Sequence, residues 1–106
     1  MIKISRKLKK QLIKDASDIE TVFKLSAISA RVVELDFFNE SSVSYYIELA
    51  IGIKIDSVLN LKNEISSSLN LNPNLISIKP IYEKGLIEIS VPKSSYLEHS
   101  RLRTRS

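Results

Sequence analysis

Between Leu25 and Ala30 the repeat of apolar residues changes from helical to extended, which confines the chain to folds that set a helix ahead of a sheet. Leu8, Leu12, Ala16, Ile19 and Phe23 recur every three or four residues, and at about 100° per residue they form one stripe. The spacing predicts a helix over 5–25. Lys3, Lys7, Lys10 and Lys14 gather on its opposite side with Arg6 beside them, so the stripe can bury while the cations stay in water.

Beyond residue 30 the repeat is two. Val33, Leu35 and Phe37 alternate with Glu34 and Asp36, and Val43, Tyr45, Ile47, Leu49 and Ile51 are all apolar. Strands over 30–38 and 43–51, joined by Asn39-Glu40-Ser41-Ser42, therefore read as an antiparallel hairpin with one buried face. Gly52 marks a bend. Asp56 is suited to cap a second helix over 56–69, whose apolar positions are Val58, Leu61, Ile65 and Leu69, flanked by Leu59. Asn70-Leu71-Asn72-Pro73-Asn74 ends it, because Pro73 cannot continue the hydrogen-bond ladder. Two more strands follow over 76–82 and 86–91, and Gly85 between them can supply the positive φ of a short hairpin loop.

The predicted order is α-β-β-α-β-β, an α+β fold with two helices packed on one face of a mainly antiparallel four-stranded sheet. At 106 residues this is one domain, 1–93, with a flexible basic tail over 94–106. No cysteine is present, so disulfides, thiolate nucleophiles and cysteine-based zinc sites are excluded and a reducing, cytoplasmic location is expected. No segment approaches the roughly 20 apolar residues a membrane span needs. The net charge of +4 is unevenly spread. Residues 1–14 contribute +6 and residues 93–106 contribute +3, which leaves −5 on residues 15–92.

Several segments together resemble the N-terminal, or alpha, subdomain of FtsK/SpoIIIE-type DNA translocase motors. Ala30-Arg31-Val32-Val33, Tyr46-Ile47-Glu48-Leu49, Gly52-Ile53-Lys54-Ile55 and Asn60-Leu61 occupy, in order, the places of that family's Ala-x-Val-Val strand, aromatic-x-Glu-Leu strand, Gly-Val-Lys-Val turn and Asn-Leu helix. Gly85 through Pro92 is similar to its closing Gly-Ile-Glu-Val-Pro strand. The likeness runs over about residues 10–93. It departs where Glu40-Ser41-Ser42 replaces a Gly-Pro and Tyr82-Glu83-Lys84-Gly85 replaces a Pro-Gly-Lys hairpin. No Gly-x-x-x-x-Gly-Lys-Ser/Thr phosphate loop occurs in the 106 residues. The resemblance therefore implies a non-catalytic accessory or assembly domain of a DNA-translocation or conjugative-transfer system. Its implied partners are copies of itself, packed through sheet edges or helix faces, or a motor ATPase, with double-stranded DNA nearby.

No catalytic constellation accompanies these elements. His99 is the sole histidine and has no ligand at metal-binding spacing, and Glu34, Asp36, Glu48 and Glu88 alternate outward from strands as a solvated sheet face would. Neither an enzyme, a cofactor nor a small-molecule substrate is expected. Tyr45, Tyr46 and Tyr82 could stack on bases, yet alternating strand positions place such rings in a core or on a sheet. The one grouping with a mechanism is the cationic one. Lys3, Arg6, Lys7, Lys10 and Lys14, with Arg101, Arg103 and Arg105 in the tail, can neutralise phosphates of double-stranded DNA without reading its sequence. The competing expectation is a free-standing interaction or oligomerisation domain that never binds nucleic acid, its acidic middle repelling phosphate.

Overall fold

A computed structural model describes residues 6–37 and 39–96 of the chain. Helix α1 (Arg6–Leu25) leads into strands β1 (Ala30–Asp36) and β2 (Ser42–Leu49). Two short helices, α2 (Ile55–Leu59) and α3 (Lys62–Ser68), come next, and then β3 (Ser77–Ile81) and β4 (Leu86–Pro92). The four strands form one antiparallel sheet in the order β1-β2-β4-β3. Helices cover one of its faces. Leu12, Ile19, Val22 and Phe23 from α1, and Val58, Leu61, Ile65 and Leu69 from the second helical region, share a core with Tyr45, Ile47, Ile87, Ile89 and Val91.

The end of α1 is closed by backbone bonds. Ile28 N–H donates to the Phe23 carbonyl at 2.8 Å, and Ala27 takes the left-handed conformation, φ 58°, that this closure requires. Asn70 does the same after α3, with Leu71 N–H donating to Ser66 at 2.9 Å. Gly85 supplies the expected positive φ, 64°, at the β3–β4 connection.

Three expectations need correction. The predicted helix over 56–69 is broken at Asn60-Leu61, and it starts one residue earlier with Lys54 at the cap and Asp56 in the first turn. Leu61 N–H bonds to Val58, a tighter step than the α-helical one, and this turns the axis so that α2 lies against β3 while α3 lies against α1. All four stripe residues stay buried across the break.

In β1, Val33 does not face the core. Val32 pairs with Ile47 and Leu35 with Tyr45, so Val33 is an extra residue opposite Tyr46, a bulge that turns Val33 outward and Val32 inward.

Residues 94–96, expected in the tail, belong to the body: residues 93–96 are helical and Tyr96 is buried. Its hydroxyl shares a hydrogen bond with that of Tyr45 on β2. Asp15, buried on the inner face of α1, accepts a bond from Gln11 Nε2 at 2.8 Å and acts on the Tyr96 hydroxyl by charge and hydrogen bonding. Burial first pushes both tyrosine hydroxyls well above their ordinary titration range; the Tyr45 and Asp15 neighbours add to the rise at Tyr96, whereas at Tyr45 the bond to Tyr96 works against it and the Asp15 charge with it.

Candidate nucleic-acid interface

α1 buries one side against the sheet and α3, so the residues between its stripe positions are forced outward. Arg6, Lys7, Lys9, Lys10 and Lys14 are all exposed on this outer side. Lys7, Lys10 and Lys14 stand three and four residues apart, in a line about 10 Å long at 1.5 Å per residue. Lys14 Nζ is engaged by Asp18 Oδ2 at 2.9 Å, one turn on. Its charge is partly offset, in a surface pair of modest strength. Among the described residues Arg6, Lys7, Lys9 and Lys10 make no ion pair. Lys3, Arg101, Arg103 and Arg105, the other expected contacts, lie outside the described residues, as does His99.

The opposite side of the molecule is the uncovered sheet face, and its chemistry is different. Cross-strand pairing lines up Glu34, Tyr46, Glu88 and Lys79 in one row. Asp36, Ser44, Ser90 and Ser77 form a second row, and Arg31, Glu48, Leu86 and Ile81 a third. The four carboxylates predicted to alternate outward thus share this face. Glu88 is the most enclosed: it accepts from Ser44 Oγ at 2.7 Å and Tyr46 Oη at 3.3 Å, with Lys79 Nζ at 3.6 Å. Glu48 pairs with Arg31 at 2.9 Å. Desolvation, followed by the Glu88 charge, raises the pKa of the Tyr46 hydroxyl. Glu88 and Glu48 are thus engaged locally, and the shared carboxylates make the face unwelcoming to phosphate.

The three tyrosines singled out for base stacking separate. Tyr45 is wholly buried, Tyr46 is half-buried among carboxylates, and Tyr82 is 80% exposed beyond the end of β3. They form no common platform. A shallow groove lined by Val22, Leu25, Asn63, Glu64, Ser67 and Ser68 has no converging catalytic groups. No cluster of His, Cys, Asp or Glu among the described residues could hold a metal ion. No described helix is long and apolar enough to cross a membrane.

Two polar roles escaped the sequence reading. Asp15 falls in the stripe, three residues after Leu12 and four before Ile19, and a carboxylate on an apolar face is itself a sign of a buried partner. Glu20 Oε2 accepts the Val32 N–H at 2.8 Å and so covers the outer edge of β1. No local pattern announces that contact. Among known families, the model described as FtsK alpha domain matches residues 2–93. No curated protein matches the chain.

Proposed function

Because the chain belongs to the FtsK alpha-domain family, we propose that it is an assembly domain of a DNA-translocation or conjugative-transfer system that touches double-stranded DNA weakly through the outer face of α1. The family is a non-catalytic subdomain of FtsK-like translocases. The observation that supports DNA contact is the outward projection of Arg6, Lys7, Lys9 and Lys10 from a helix whose opposite side is held rigidly in the core. Such cations neutralise phosphates and release counterions, while flexible lysine side chains read no base edges. Arg101, Arg103 and Arg105 would add to the same contact. The acidic sheet face turns away from the duplex.

Assembly through sheet edges has less support than assembly through faces. The β1 edge carries a bulge and has its Val32 N–H taken by Glu20. Pro80 leaves the β3 edge with one donor fewer. The test is a fluorescence titration with labelled duplexes of unrelated sequence at low salt. Equal affinities for all of them, lost in Lys7→Glu/Lys10→Glu, support the reading. Strong preference for one sequence, or full binding by the variant, contradicts it. A second reading, an interaction domain that never binds nucleic acid, draws on the carboxylates of the open sheet face, and absence of binding by wild type at low salt would favour it.

A further inference from the structure

The two halves of α1 are held unequally. From residue 15 onward Asp15, Ile19, Val22 and Phe23 are buried, and Glu20 is tied to the Val32 N–H of β1. Over residues 6–14 only Leu12 is buried, with Leu8 and Gln11 half-buried. This first half is also the poorer helix by charge. Arg6, Lys7, Lys9 and Lys10 crowd its beginning, where the helix dipole disfavours cations, and no acidic residue stands in the first turn. Arg6 and Lys10, and Lys10 and Lys14, are like charges four residues apart. Such a segment draws its order from what it packs against.

Besides Leu8 and Leu12, its attachment is a polar chain that ends far along the sequence. Gln11 Nε2 donates to Asp15 at 2.8 Å, Asp15 engages the Tyr96 hydroxyl, and that hydroxyl shares a bond with Tyr45 on β2. Tyr96 is the one buried residue of the helical segment 93–96. The other ties of this segment are at the surface. Ser95 Oγ donates to the Pro92 carbonyl at 2.7 Å, Lys93 Nζ to the Asn39 carbonyl at 3.0 Å, and Lys93 N–H to the Ser41 carbonyl at 3.0 Å. A segment anchored by a single ring can open locally while the strands stay paired. Its departure opens Asp15 and Gln11 to water and leaves residues 6–14 attached through Leu8 and Leu12.

We infer that residues 93–96 are a strap that sets the order of the basic half of α1: docked, with Tyr96 on Asp15 and Tyr45, it holds residues 6–14 helical, and undocked, it lets them fray. The strap thereby regulates the phosphate-contacting face, a consequence that rests on the duplex contact of the proposed function. Phosphate beside Arg6, Lys7, Lys9 and Lys10 relieves their mutual repulsion and favours the helical state, as docking of Tyr96 does. The two events therefore reinforce each other, and the coupling is reciprocal.

The experiment is nuclear magnetic resonance on the full chain, reading the helical Cα shifts of wild type, Tyr96→Phe and Tyr96→Ala. Tyr96→Ala should lose on the order of half the helical shift over residues 6–14 and keep it over 16–25. Tyr96→Phe keeps the ring and should lose less; it carries the test if the alanine variant does not fold. In wild type, the amides of residues 10–14 and of Lys93 should exchange through one shared opening, about tenfold or more faster than those of β2 and β4 and with weaker urea dependence. Full helical shifts over 6–14 in each variant that folds, or amides over 10–14 that exchange only together with the central strands, overturn the inference.

A duplex titration separates the strap from the contact it regulates. Tyr96→Ala should bind about tenfold more weakly than wild type, with the slope against salt unchanged because no cation has been removed, and duplex should restore its helical shifts. Equal affinity in wild type and in a frayed variant overturns the regulatory role. No binding by wild type at low salt overturns the proposed function instead, and the shifts without duplex still decide whether the strap exists.

Discussion

Ala27 and Asn70 hold the same left-handed backbone, φ 58° in each, at the close of a helix. Asparagine tolerates that conformation; alanine pays a steric penalty that glycine escapes. Ala27→Gly should therefore stabilise the domain by about 0.5–1 kcal/mol after the loss of unfolded-state restriction is allowed for, read as a higher denaturation midpoint in urea. Tyr96 has a different residue-scale role. It ties the end of the folded body to β2 and α1 through Tyr45 and Asp15. Both tyrosine hydroxyls have raised pKa values in the folded state, so the unfolded chain loses these protons first. The contribution to stability is complete below about pH 10 and is lost as pH rises above it. Urea denaturation at successive alkaline pH values should show a shallower decline for Tyr96→Phe than for wild type.

At the scale of elements, periodicity identified α1, four strands and the buried stripe of the second helical region. What it could not show was the break in that region. Val58, Leu61, Ile65 and Leu69 satisfy a straight helix as well as a bent one, and the bend follows from packing α2 on β3 and α3 on α1. The β1 bulge was equally silent, since positions 32 and 33 are both valine and only pairing with β2 decides which turns inward. Tyr96 sits in a stretch without period, so its burial depends on distant partners. The Lys14–Asp18 pair, an i, i+4 contact that the sequence analysis did not draw, weakens the part of the basic face that includes Lys14. Ile65 is fully buried on α3. Ile65→Ala should cost about 2–5 kcal/mol, a large share of the roughly 5–15 kcal/mol a domain commands. An unchanged melting temperature would contradict the packing of α3 described above.

The whole molecule is a two-sided plate: a helical layer with a cationic outer surface, and a sheet with a carboxylate-bordered one. The two outer faces follow from the same fold rule, since residues between stripe positions on α1 and at alternate positions on the strands must point away from the shared core. The central claim is that the outer face of α1 contacts phosphate. Its most direct test is the salt dependence of duplex binding by wild type and by Lys7→Glu/Lys10→Glu. Four to six phosphate contacts predict a slope of log affinity against log salt of roughly −4 to −5 for wild type, with binding abolished in the folded double variant. No binding by wild type at low salt, or an unchanged slope and affinity in the variant, would contradict it.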